Sequence, residues 1–190
     1  MTAVTGAALI VLLAVLGVTI IRIGSLLWMH LFVGLLLIGP LALKLASTGY
    51  RFVRYYTRDP MYVEHGPPEP TLRLIGPLVV GSTLVVFASG LVLLFGGPSA
   101  RATWFPIHKL SFFAWLAVMA VHVLGHLPAV GRGLQADYGP AIARLDDGAP
   151  GRSGRALALA SAIALGVVLA VLLIPQFGPW LHYHFLHHQH

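Results

Sequence analysis

Apolar residues fall into five long runs along the chain, separated by short polar or basic stretches. The runs cover roughly residues 5–21, 26–50, 74–95, 104–127 and 156–175. Each is close to the ~20 residues that a helix needs to cross a bilayer. Alternation of period two is absent, and backbone in lipid must satisfy its own hydrogen bonds, so the pattern predicts helices rather than lone strands. The first two runs are parted only by Arg22-Ile23-Gly24-Ser25, which reads as a tight hairpin. The first lacks a basic leading region and is followed at once by another span, so it reads as a span and not as a signal peptide. The expected fold class is all-α: a polytopic transmembrane helix bundle of five spans, forming a single integral membrane domain over residues 1–190.

Basic residues orient the bundle. Arg51, Arg54, Arg58 and Arg73 follow the second span, and Arg132, Arg144, Arg152 and Arg155 follow the fourth. The other side has only Arg22, Arg101 and Lys109. The positive-inside rule then places the N-terminus and both long loops in the cytoplasm and the C-terminal tail outside a bacterial-type inner membrane. Trp28, Trp104 and Trp180 would line the outer interface, and Tyr50, Tyr55 and Tyr56 the inner one.

Composition narrows the chemistry. Hydrophobic residues make up 57% and charged residues 9%, too little charge to solvate a globular surface. A soluble enzyme and a nucleic-acid-binding domain are both excluded, despite the net charge of +6. With no cysteine, the chain cannot build a disulfide scaffold, a thiolate zinc site, an iron–sulfur cluster or a covalent c-type haem site. Ten histidines outnumber the six acids. All six acids (Asp59, Glu64, Glu69, Asp137, Asp146 and Asp147) lie outside the apolar runs. The spans therefore offer their histidines no carboxylate partner, and polar groups in lipid tend to mark function.

Three histidines have spacing that suits a haem. His108 and His122 lie 14 residues apart in the fourth span, which puts them within about 40° of one helix face and about 21 Å apart along the axis. His30 lies near the outer end of the second span, which runs in the same direction. Measured from each span's midpoint, His30 and His108 share a depth on the order of 12 Å outward. Two histidines at one depth on two helices suit the axial positions of a bis-histidine haem b. Fourteen residues after His30 stands Lys44, at the depth of His122. Lys44 could be an amine ligand, a donor to a haem propionate, or a lysine that snorkels to the cytoplasmic interface. His126, one turn beyond His122, cannot reach the opposite face of the same iron but could share a small metal ion with it. The alternative for each of these histidines is a neutral residue that packs and hydrogen-bonds between helices.

A long helix carrying His108 and His122, facing a second helix that begins with His30, resembles the four-helix membrane cytochromes b. These include the ferric-reductase transmembrane family, the ascorbate-reducible cytochromes b, and the cytochrome b subunits of membrane formate dehydrogenases and hydrogenases. The resemblance covers residues 26–127 and rests on a histidine pair at a set distance, not on a long signature. It implies electron transfer through haem b, with His30 and His108 as the ligand pair of an outer haem and His122 as one ligand of a second, inner haem that the chain could also hold. Lys44 departs from the pattern, standing where such a family places its fourth histidine. No flavin- or nicotinamide-binding segment is apparent, so the reductant would come from a redox partner protein or a quinol.

Other signals are weaker. Tyr50-Arg51-Phe52-Val53-Arg54-Tyr55-Tyr56-Thr57-Arg58 could meet propionates or an acidic partner, but basic and aromatic residues beside membrane lipid explain it fully. Ile38-Gly39-Pro40 and Ile75-Gly76-Pro77 suit either tight helix packing or room for a flat macrocycle. His182, His184, His187, His188 and His190 could bind an external transition-metal ion, or belong to an unstructured tail with an aromatic anchor. A transition-metal binding or transport protein using His122, His126 and this tail is the competing reading. A structural or assembly subunit is the third.

Overall fold

The structure, a computed structural model, describes residues 2–60, 70–138 and 152–187. Among these are helices α1 (Thr2–Ile21), α2 (Ile23–Tyr56), α3 (Pro70–Gly96), α4 (Arg101–Tyr138), α5 (Arg152–Leu172) and α6 (Gly178–His187). Short 3-10 turns cover Pro98–Ala100 and Ile174–Phe177, and no strand occurs among the described residues. Each of α1 to α5 contains a stretch long and apolar enough to cross a membrane. Large apolar side chains such as Leu110 (72% exposed) and Leu124 (70%) point outward, which water would penalise and lipid would cover. The chain is thus an all-helical protein with the make-up of a multi-pass membrane protein.

Helix ends depart from the apolar runs because hydropathy marks where lipid ends, whereas the backbone ladder can continue into water. Helix α2 runs six residues past the expected Tyr50. It stops in a Schellman motif: the Asp59 amide donates to the Arg54 carbonyl (3.1 Å) and the Arg58 amide to the Tyr55 carbonyl (3.1 Å). Arg58 takes the left-handed conformation that glycine usually fills there, with φ of 58°. Asp59 pairs with Arg54 across the same turn. At its start, α2 has non-helical backbone angles at Leu26, so a single turn follows the Arg22 hairpin before the main helix begins. Helix α4 extends to Tyr138, beyond the apolar run that ends near Leu127. Helix α5 ends at Leu172 instead of Pro175, and the following 3-10 turn takes Pro175 at its start, where no amide donor is needed.

The chain divides into two compact units, Met1–Gly66 with Leu127–Leu172 and Pro67–His126 with Leu173–His190. In the first unit α2 packs on both α1 and α5. The closest approach of α2 and α5 lies at two glycines. A Cβ added at Gly39 would overlap the Ala162 carbonyl, and one added at Gly166 would overlap the Leu36 carbonyl. The Gly39-Pro40 segment therefore serves tight helix packing, the first of its two sequence readings. Leu37, at 1% exposure, and Pro40 are buried beside this crossing.

In the second unit the Trp115 indole of α4 donates to Thr83 Oγ1 of α3 across 3.0 Å, with both residues buried. Helix α6 is held at the end of α3, where Trp180 Nε1 donates to the Leu93 carbonyl at 3.0 Å. The Arg101 guanidinium lies over the rings of Phe105 (5.1 Å) and Tyr183 (5.7 Å). The tail is helical through His187, which overturns the reading of it as unstructured to that point.

Candidate functional site

His30 and Lys44 fall in the first unit, and His108, His122 and His126 in the second. The Arg22 hairpin folds α1 back along the start of α2 and sets Thr19 beside His30. Thr19 Oγ1 lies 3.1 Å from His30 Nδ1 and donates to the Leu16 carbonyl at 2.6 Å. Thr19 is 1% exposed, so this hydroxyl works away from any solvent, while His30 itself is half-buried.

His108 is met in the same way by α3. Its Nδ1 lies 3.0 Å from Ser89 Oγ, and Ser89 donates to the Val86 carbonyl at 3.0 Å. Ser111, one turn along α4, places its Oγ 3.4 Å from Ser89 Oγ and donates to the His108 carbonyl. Ser89 is 2% exposed. Beside it, Gly90 leaves the space the imidazole uses, since an added Cβ would stand 3.1 Å from His108 Cε1. Ser89 and Gly90 together form a seat for the ring.

His122 lies 14 residues beyond His108 on the same helix α4, where regular helical rise amounts to about 21 Å. Its ring stands 4.5 Å, centroid to centroid, from that of His126, as the i, i+4 spacing expects. Lys44 turns its amine toward α1. Its Nζ and Val130 Cγ2 lie 3.9 and 3.7 Å from where a Gly6 Cβ would stand. Gly6 is only four residues from the start of α1, so the amine is close to a helix end rather than mid-span.

His182 is exposed on α6, His184 and His187 belong to the same helix, and His188 lies outside the described residues, as does His65. Among the described residues, no three His, Asp or Glu side chains gather as a group able to hold a metal ion. Among the described residues, His122 and His126 form a pair.

Thr19, Ser89, Gly90 and Ser111 were not singled out by sequence, although a usable signal existed. Residues 19 and 30 are equidistant from a point inside the Arg22–Ser25 hairpin. Residues 89 and 108 are equidistant from the start of the Pro98–Ala100 turn. In an antiparallel helix pair such mirror positions lie at one level, so each hydroxyl could have been assigned to its histidine by counting from the turn.

No family model, curated protein or solved structure matches the chain.

Proposed function

We propose that this is a membrane electron-transfer protein holding one haem b, with His30 and His108 as the axial ligands. The observation that carries this reading is local and occurs twice. Each histidine sits in a span without Asp or Glu and is anchored through Nδ1 to a buried hydroxyl of the preceding helix. Metal-ligating histidines characteristically have their second nitrogen held in this manner, which fixes ring orientation. Imidazoles held in this way are the donor chemistry that haem b takes, and the lack of a side chain at Gly90 gives the His108 ring its seat.

Bound haem would supply the one-electron chemistry. The chain's own contribution is ligation, burial and the hydrogen bonds behind each imidazole, which together set the potential. In this account His30 and His108 lie toward the outer face, and electrons arrive from a quinol or a partner protein. Lys44, with its amine beside the end of α1, acts as an interfacial charge, and the proposal assigns it no iron. The adjacent rings of His122 and His126 favour a second reading for that pair alone, a small metal ion held between two imidazoles.

The test is a reduced-minus-oxidised spectrum and a pyridine haemochrome assay on the full-length chain purified from haem-replete cells. Bands of haem b are expected, and their absence would sink the proposal. Metal analysis of the same sample, compared with His122→Ala, reports on the second reading.

A further inference from the structure

The two histidines share a proton arrangement that counting hydrogens makes explicit. A hydroxyl carries one hydrogen and can also accept. Thr19 directs its hydrogen to the Leu16 carbonyl, and Ser89 directs its own to the Val86 carbonyl. Each hydroxyl oxygen is then left facing Nδ1 as an acceptor, at 3.1 Å from His30 and 3.0 Å from His108. The nitrogen on the other side of each contact must be the donor. In a neutral imidazole with Nδ1 protonated, the lone pair sits on Nε2.

We propose that Thr19 and Ser89 are positioning residues that hold His30 and His108 in the Nδ1–H tautomer and so present Nε2 as the metal-binding nitrogen. Each acts from the helix before its histidine, at the mirror position across the connecting turn. Neither residue touches the iron. The acceptors are neutral hydroxyls rather than carboxylates, so each imidazole gains only a modest increase in basicity. The proposal deepens the haem reading and rests on it for its purpose, although the tautomer itself can be measured without any haem.

The experiment uses the full-length chain in detergent micelles with 15N-labelled histidine, at a pH where the imidazoles are neutral. Long-range 1H–15N correlations report which ring nitrogen bears the proton, and His30→Gln and His108→Gln assign the two signals. Both rings are expected as Nδ1–H, opposite to the Nε2–H form that histidine prefers in water. Thr19→Val should remove the Nδ1–H signature of His30 only, with Thr19→Ser restoring it. Ser89→Ala should do the same for His108, with Ser89→Thr restoring it. In the haem-loaded protein either loss should raise the midpoint potential and weaken haem retention roughly tenfold or more. An Nε2–H ring at either position, or an Nδ1–H signature that survives Thr19→Val or Ser89→Ala, would overturn the assignment. Nδ1–H rings in a protein that lacks haem bands would instead overturn the haem reading and leave the tautomer assignment standing.

Discussion

Replacing Gly39 by alanine probes the close crossing of α2 and α5. The added Cβ would stand 3.0 Å from both the Ala162 carbonyl carbon and the Gly166 nitrogen, and would overlap the Ala162 carbonyl oxygen. Carbon–oxygen contacts between helices settle near 3.3–3.6 Å. Helices α2 and α5 would therefore have to part by about 1.3–1.6 Å. Overpacking of this kind typically costs about 1–3 kcal/mol, and the upper end applies because the blocking atoms are backbone and cannot rotate away. Gly34→Ala is the control: it lies in the same helix, an added Cβ meets nothing within 4 Å, and alanine gains about 0.8–1 kcal/mol of helix propensity over glycine. Unfolding in mixed dodecyl-sulfate micelles, followed by circular dichroism, should place Gly39→Ala about 1–3 kcal/mol below Gly34→Ala, the propensity gain being common to both. Gly166→Ala should behave like Gly39→Ala. The double variant should lose less than the sum, because one separation relieves both overlaps. If Gly39→Ala and Gly166→Ala are as stable as Gly34→Ala, the reasoning about this crossing is wrong.

Two further outcomes are expected. Arg58→Gly should raise the thermal midpoint, by about 0.5–1 kcal/mol in stability, because glycine takes the left-handed Schellman position without steric cost; Arg58→Ala should show no such gain. Trp180→Phe removes the 3.0 Å bond to the Leu93 carbonyl. It should cost about 0.5–1.5 kcal/mol and speed amide exchange within Gly178–His187, with α5 unchanged.

The fold class was legible because lipid imposes one rule on the backbone and five apolar runs obey it. Helix lengths were less so, since nothing in hydropathy tells a helix to stop at the membrane surface. Helix α4 goes on to Tyr138, and α2 continues to a cap built by Arg54, Tyr55 and Asp59. The alternatives at Gly39 could be separated only by knowing what faced it, and Ala162 lies more than a hundred residues away. The histidines were found because an intramembrane imidazole is conspicuous. Thr19 and Ser89 went unnoticed because a lone hydroxyl in a helix commonly bonds its own i−3 or i−4 carbonyl, as both do here. Their second contact, to an imidazole across the turn, depends on helix pairing as much as on residue type.

We propose that His30 and His108 are each needed to hold one haem b. Haem per chain, measured by pyridine haemochrome on the wild type, His30→Ala, His108→Ala and His126→Ala purified side by side, tests it most directly. About one haem is expected in the wild type and in His126→Ala, and loss of that haem in both His30→Ala and His108→Ala. A full complement of haem surviving the loss of either His30 or His108 would contradict it.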